Sequence, residues 1–353
     1  MMKKTVRNVE LKKRCLLTLA LAAATSVFVT GCATAGAGEK KMDAQATGGK
    51  EAMQQAIHKM QSLNQTRGYI DAHKGVEHPL TLLGGPIEIK ASQDVGGVHV
   101  ALPAHRQLDP TVFGPPDLPR HYAGTPMITG VPPMLREKTP DGGYQTKVLT
   151  PFGNKSVVMG GGKLMLDSID ATATDAARSA DSVKFSASWQ DKSGNTYSVK
   201  CCGKLATHGL EYPTYGGVWT NGIMHGFTGI GTPLMPSEYT YYAFWGMGQV
   251  EKNGKVLDKP RLVHVMLTEY VRGKDYRLAW DKDVTPTRTH LHLMVPPFKP
   301  DMKDGVFVKS PVKTGMTLPN GKALPFWHVM FSNLTVKARR TESGWVSFPE
   351  QLK

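Results

Sequence analysis

A short alternating segment carries the first candidate chemistry of this sequence. Residues 289–294 read Thr-His-Leu-His-Leu-Met. Because the side chains of a β-strand point alternately to opposite faces, His290, His292 and Met294 would share one face of a strand. Two imidazoles at this spacing lie about 7 Å apart, near enough to bind one metal ion, and a thioether beside them favours copper.

Two other segments repeat the pattern of a histidine followed two residues later by a methionine. They are His264-Val265-Met266 and His328-Val329-Met330, in a chain that holds 17 methionines. The sequence therefore predicts a copper site built where these strands meet. Its candidate ligands are His264, Met266, His290, His292, Met294, His328 and Met330.

An ordinary surface or core role for these residues is the alternative. Arg288 shares the predicted face of the first two histidines, which indicates solvent. Leu334 and Val336 continue the predicted face of His328, which indicates core, and methionine commonly fills gaps in cores. On this interpretation the histidines of the two strands face different surroundings. A cupin metal enzyme would also have two histidines at this spacing, but cupins follow them with a glutamate, whereas this chain has Val295-Pro296-Pro297.

The adjacent pair Cys201-Cys202 is the second chemical feature. In an oxidising compartment the two neighbours could close a strained vicinal disulfide, which would act as a redox or conformational switch. Soft-metal binding and a fortuitous pair with one buried sulfur are the alternatives. The other 2 of the chain's 4 cysteines, Cys15 and Cys32, belong to the N-terminal segment, which leaves only this pair for the folded part of the chain and no larger disulfide framework.

Residues 207–247 are dense in glycine, aromatic residues and methionine. Their aromatic side chains could line an apolar ligand cavity, or they could fill the core of a β-domain. His208, Glu211 and His225 are candidate acid or base groups within this segment. The sequence has no G-x-S-x-G elbow and no H-E-x-x-H motif, and the glycines at 160–162 are predicted to form a turn because no helix follows them.

Strand-like segments separated by turn signals predominate from about residue 84. Turn signals such as Asp141-Gly142-Gly143 and Asn253-Gly254-Lys255 separate several of them. The pattern predicts a mainly β domain over residues 84–353, an antiparallel sandwich or barrel. The predicted strands lie near 87–90, 98–101, 144–150, 155–159, 163–170, 182–190, 195–202, 238–250, 261–271, 276–281, 287–295 and 326–338.

Three segments outside the predicted strands have their own composition. Residues 103–140 hold nine prolines, which predicts a long loop, because proline lacks the backbone donor; such a loop is either functional or packed over a surface as a cover. Residues 51–63 place apolar side chains on one helical stripe and predict a short N-terminal helix within a helical lead-in over 51–83. Residues 32–50 are small and polar and predict a flexible linker.

The N-terminus divides by chemistry into a basic head and an apolar stretch. Six basic residues accompany Glu10, and Cys15–Val29 then runs for fifteen residues without a charge. That length fits a secretory signal and is too short for a transmembrane helix. The basic head holds the N-terminus on the cytoplasmic side.

The following residues, Val29-Thr30-Gly31-Cys32-Ala33, resemble the lipobox of bacterial lipoproteins, although the resemblance covers residues 1–33 only. It implies that residues 1–31 are a signal peptide and that Cys32 carries acyl chains such as palmitate. Each buried methylene contributes about 0.8 kcal/mol, so several chains imply lasting attachment to the membrane. Relatives with aspartate after the cysteine stay in the inner membrane, so Ala33 favours the outer membrane of a Gram-negative envelope. Plain secretion, or an uncleaved anchor, is the alternative.

The charge and the composition of the chain limit the kinds of partner that it could bind. Without residues 1–31 the formal net charge falls from +14 to +9, which suits an anionic membrane surface or anionic partners. No compact run of lysine and arginine interleaved with aromatics occurs, so nucleic-acid binding is disfavoured. These features predict a non-enzymatic, membrane-anchored binding protein, with copper as the sharpest ligand candidate and with protein partners left open. An envelope enzyme with its site beneath residues 103–140 and a structural envelope component are the alternatives.

Overall fold

The computed structural model describes residues 73–75, 86–108, 113, 131, 135–171, 181–204, 217–226, 232, 234–273, 275–279, 283–303, 306–340 and 346–347. The predicted signal segment, linker and N-terminal helix lie outside the described residues. Of the predicted lead-in over 51–83, the turn at 73–75 is described, and His73 Nε2 lies 3.0 Å from Glu269 Oε1 there. No helix among the described residues is long and apolar enough to cross a membrane.

The prediction of a mainly β protein is confirmed. The strands are β1 (Ile87–Gln93), β2 (Val98–Ala101), β3 (Arg136–Lys138), β4 (Tyr144–Thr146), β5 (Ser156–Asp170), β6 (Ser182–Gln190), β7 (Thr196–Lys204), β8 (Val218–Met224), β9 (Glu238–Lys252), β10 (Lys255–Tyr270), β11 (Thr285–Val295), β12 (Phe298–Lys303), β13 (Val306–Lys309), β14 (Trp327–Phe331), β15 (Thr335–Arg340) and β16 (Val346–Ser347). Two pairs, β3 with β4 and β12 with β13, form small separate sheets.

The other strands form one 12-stranded sheet that closes on itself. Its order is β16-β15-β1-β5-β2-β14-β11-β10-β9-β7-β6, with β8 beside β9. Because β5 pairs with both β2 and β6, the strands from β5 through β14 and β10 to β6 form a closed antiparallel ring. Of the two predicted architectures, this is the barrel, and closure leaves no open edge in the ring.

The interior of the ring holds the main apolar cluster. Trp189 of β6 and Trp327 of β14 are fully buried and meet edge to face with ring centroids 4.7 Å apart. Tyr242 of β9 donates a hydrogen bond of 2.7 Å to Ser168 Oγ of β5. Since alternate side chains of each strand point inward, the remaining side chains of the same strands face outward. The fold thus has an apolar inner face and a second, outer face available for other chemistry.

The predicted turn at the glycines of 160–162 is wrong. β5 runs through these residues, and its register with β6 shifts between Gly160 and Lys163. Gly161 adopts a φ of 58°, in the left-handed region that favours glycine. The glycines therefore form a β-bulge inside one long strand, instead of separating two strands.

Other strand predictions also differ from the structure, and β12, β13 and β16 were not predicted. Within the described part of 276–281 no strand forms, and an isolated bridge joins Arg272 to Leu278. The segment 326–338 is two strands, β14 and β15, separated at Ser332–Leu334, where Asn333 has a φ of 61°. β3 lies inside the predicted loop over 103–140, and β8 was not predicted.

Candidate metal centre

All seven predicted metal ligands lie on the outer face of the barrel, on the neighbouring strands β10, β11 and β14. His292 stands opposite Met266 on one side and Met330 on the other, and Met294 stands in the same way between His264 and His328. His290 lies opposite Thr268. Intervening side chains such as Leu293 belong to the interior cluster, so the alternation of each strand separates the two faces.

The expectation that the histidines of β11 and β14 face different surroundings is wrong. Leu334 and Val336 do not continue the face of His328, because the first precedes β15 and the second lies on it. Arg288 is exposed near the start of β11, with its guanidinium carbon 4.0 Å from the ring centroid of Tyr270. The start of β11 is therefore exposed at Arg288, whereas His290 and His292 further along the strand are buried.

Connections between strands cover this part of the outer face. His290, His292 and His328 retain 0%, 4% and 1% of their solvent exposure. The backbone carbonyl of Pro151, in the connection before β5, accepts a hydrogen bond of 2.8 Å from His328 Nδ1. The candidate ligands are therefore buried between the sheet and its own loops.

Three imidazoles form a hydrogen-bonded chain whose proton positions can be assigned from one end. A carbonyl can only accept, so His328 carries its proton on Nδ1, toward Pro151. Nε2 of His328 then accepts from Nδ1 of His292, 2.9 Å away. Nε2 of His292 consequently presents a lone pair, and it faces Nε2 of His290 at 2.6 Å.

Neither neutral form of His290 satisfies its surroundings. The backbone N–H of Val271 points at His290 Nε2 over 3.4 Å, which makes this nitrogen an acceptor and sets its lone pair against that of His292. With the proton on Nε2 instead, His290 donates to His292 Nε2 but opposes the Val271 N–H. Nδ1 of His290 is then a buried acceptor with no hydrogen-bond partner among the described residues. Unsatisfied polar atoms of this kind are costly inside a protein.

Glu238 and His225 complete the cluster from β9 and the end of β8. Glu238 is fully buried, and one of its carboxylate oxygens lies within 4.8 Å of ligand atoms of His290 and His292. His225 Nε2 lies 3.7 Å from Glu238 Oε1 and 3.4 Å from Met266 Sδ. Because His225 Nδ1 lies 3.2 Å from the carbonyl of Thr232, its Nε2 also carries a lone pair toward the cluster.

Burial keeps these histidines neutral. It lowers the pKa of His328 to about 3 and that of His225 to about 4. Burial also lowers the pKa of His290, with a further contribution from the positive charge of Arg272, and it lowers the pKa of His292, with a further contribution from His290. At neutral pH the cluster therefore offers unprotonated imidazole nitrogens, the form in which histidine binds metals.

The remaining predicted ligands lie further along the same face. His264 Nδ1 is 2.8 Å from the carbonyl of Phe244, its ring stacks on Trp245 with centroids 4.1 Å apart, and burial lowers its pKa to about 3. Met330 is fully buried, and Met294 is partly exposed.

Part of this site was not predicted from the sequence. His225 was predicted only as an acid or base group, and Glu238 was not identified. The available signal for Glu238 was a single carboxylate at the start of an otherwise aromatic strand segment, Tyr239–Trp245. Nothing local distinguished that carboxylate from a solvent-exposed one.

The other candidate residues lie elsewhere. Cys201 and Cys202 are joined by a disulfide on β7, beside a surface depression of about 610 Å³ that Lys200 and Lys259 also line. Tyr242 and Phe244 pack into the interior cluster. His208 and Glu211 lie outside the described residues.

No family model matches the chain, and no significant similarity was found to a curated protein or to a solved structure. The function is therefore argued from the geometry of the cluster.

Proposed function

We propose that this chain is a metal-binding protein of the cell envelope, anchored through a lipid on Cys32, and that a divalent transition metal binds at His290, His292 and Glu238. The observation that carries the proposal is the pair of imidazole nitrogens that face each other over 2.6 Å. In the tautomer of His290 that accepts the Val271 N–H, two lone pairs repel at this separation, whereas a cation would accept both. The carboxylate of Glu238, within 4.8 Å of both histidines, adds an anionic oxygen ligand.

The hydrogen bonds behind His292 support this assignment. Histidines that bind metals usually donate their second ring N–H to a neighbouring acceptor, which fixes the tautomer and raises the basicity of the ligand nitrogen. Here His292 donates to His328, and His328 donates to the carbonyl of Pro151. His328 is thus assigned a positioning role behind His292, and the sequence prediction of a direct ligand is revised.

The donor set favours copper in its divalent form. Imidazole nitrogens and a carboxylate suit Cu(II), Zn(II) and Fe(II), and at a site of this type Cu(II) binds most tightly. The thioether of Met266, 3.4 Å from His225 Nε2, adds a soft donor next to the cluster. Soft donors suit copper better than they suit magnesium, calcium or manganese.

Metal analysis of the purified protein and titration of the metal-stripped protein with Cu(II), Cu(I) and Zn(II) test the proposal. We expect stoichiometric Cu(II) binding, and at least tenfold weaker binding in the double variant His290→Ala/His292→Ala. Glu238→Gln, which keeps the side-chain shape, is expected to weaken binding as well. The matched control is His105→Ala, which removes a partly exposed histidine that contacts Glu137 outside the cluster. Absence of stoichiometric binding, or equal affinity in the double variant and the control, would refute the proposal.

A further inference from the structure

Arg272 is a buried cation beside the cluster whose hydrogen bonds are incomplete. It retains 3% of its exposure, and its Nη1 donates to the carbonyls of Gly153 at 3.0 Å and Tyr276 at 3.3 Å. Its Nε and Nη2 are buried and have no hydrogen-bond partner among the described residues. Glu238 acts electrostatically on Arg272 and opposes the effect of burial on the pKa of the guanidinium.

The two unsatisfied nitrogens lie on the same edge of the guanidinium plane. Nε–H and Nη2–H point in parallel, and together they form the fork that binds a carboxylate or an oxyanion through two hydrogen bonds. A buried guanidinium whose N–H donors have no acceptor is strongly unfavourable. The free edge of Arg272 is therefore matched in geometry and in charge to a small anion.

Tyr276 supplies a second unsatisfied donor in the surroundings of Arg272. The guanidinium carbon of Arg272 lies 5.5 Å from the centroid of the Tyr276 ring. The Tyr276 hydroxyl is buried and also has no hydrogen-bond partner among the residues that the structure describes. The ring itself is held by stacking on His99, with centroids 3.6 Å apart.

The sequence neighbours of Arg272 connect this edge to the metal cluster. Val271, the preceding residue, directs its N–H at His290 Nε2 over 3.4 Å. Tyr270, at the end of β10, has its ring centroid 4.8 Å from that of His290. Arg272 is itself buried, and its neighbours Val271 and Leu278 belong to one buried apolar cluster. These surroundings restrict a ligand at Arg272 to a small one.

We infer that the free edge of Arg272, together with the Tyr276 hydroxyl, binds a small carboxylate or oxyanion beside the metal. Binding of the anion to Arg272 requires no metal. Its position beside the metal rests on the proposed function. With the anion site of Arg272 next to the metal centre, the protein would bind a metal ion together with a separate small anion.

Calorimetric titration of the metal-stripped and the copper-loaded protein with formate, and separately with bicarbonate, tests this inference. Neutral formamide is the control ligand. We expect at least one of the two anions to bind both forms of the protein, with formamide at least tenfold weaker. Arg272→Gln should weaken anion binding at least tenfold. Arg277→Gln, an exposed arginine in the same loop, should leave it unchanged.

Arg272→Lys keeps the charge but removes the fork, and it covers the case in which Arg272→Gln does not fold. We expect anion binding to weaken at least tenfold in this variant too, and Tyr276→Phe to weaken it by a smaller factor. Equal binding in wild type and Arg272→Lys would overturn the inference, as would absence of anion binding to wild type.

The two proposals fail in distinguishable ways. An anion that binds only the copper-loaded protein and shifts the visible spectrum of Cu(II) equally in Arg272→Lys binds the metal alone, which overturns the inference and leaves the metal site. Anion binding that depends on Arg272 in a protein that takes up no copper supports the anion site and refutes the proposed function.

Discussion

Acidification of the metal-stripped protein should unfold it between about pH 6.5 and 4. In an unfolded chain histidine has its ordinary pKa, near 6.5. Burial in the folded protein lowers the pKa of His225 to about 4 and those of His264 and His328 to about 3. The unfolded state therefore binds protons that the folded state does not bind, so the free energy of unfolding falls as the pH falls below 6.5.

The expected loss is comparable with the whole stability of a domain. At pH 5 each of His225, His264 and His328 costs about 2 kcal/mol of unfolding free energy relative to pH 7.5, because pH 5 lies about 1.5 units below the unfolded pKa. Together they cost about 6 kcal/mol, before His290 and His292 are added, and a domain is stabilised by about 5–15 kcal/mol. The loss is complete for each histidine only once the pH has passed its folded pKa.

Urea unfolding in the presence of a chelator, followed at pH 7.5, 6 and 5, measures this loss. In His328→Gln the difference in unfolding free energy between pH 7.5 and pH 5 should shrink by about 2 kcal/mol, because one buried titrating group is removed. The same substitution at His105 is the control, since that side chain is partly exposed. An unfolding free energy that changes by less than about 1 kcal/mol between pH 7.5 and pH 5 would contradict the burial of neutral histidines.

Four further predictions concern metal binding at the cluster, the lipid anchor, the disulfide and the interior of the barrel. Because the cluster is neutral, Cu(II) binding at pH 7.5 should release few protons, so calorimetry in buffers of different ionisation enthalpy should give nearly equal enthalpies; a strong buffer dependence would contradict this. Cys32→Ser should abolish labelling of the protein with a palmitate analogue in bacterial cells, and retained label would contradict the lipobox prediction. Cys201 and Cys202 should react with an alkylating reagent, detected by intact mass under denaturing conditions, only after reduction; reaction without reductant would indicate free thiols. Trp327→Ala should lower the unfolding free energy by about 3–5 kcal/mol, while Val158→Ala, at an exposed position, should change it by less than about 0.5 kcal/mol.

The sequence pattern predicted the local geometry of the site well. Alternation alone placed His290 and His292 on one face of β11, and the repeated spacing in two other segments identified the neighbouring strands β10 and β14. This succeeded because a strand fixes the direction of its side chains through a period of two residues, whatever its partners are. The mainly β class followed from the same signal.

The environment of the site could not be predicted in this way. Arg288 suggested solvent, yet His290 two residues later is fully buried. The burial comes from distant segments, since Pro151 is separated from His328 by 177 residues. Glu238 lies at the far end of the long hairpin of β9 and β10, and the register shifts along this hairpin, which decide what Glu238 faces, leave no trace in a local pattern.

The barrel explains how so many polar side chains can be buried without loss of the fold. Leu291 and Leu293 pack in the apolar interior and alternate with His290 and His292, so each strand holds its ligands through the side chains that point the other way. The interior supplies the stabilisation, and the outer face can then carry lone pairs that are unfavourable by themselves. A metal ion and a small anion would each satisfy atoms for which the described residues offer no suitable partner, the histidine nitrogens in one case and the Nε–Nη2 edge of Arg272 in the other. Binding of either ligand at this face should therefore stabilise the folded protein, because it supplies partners to buried polar atoms whose hydrogen bonding is incomplete.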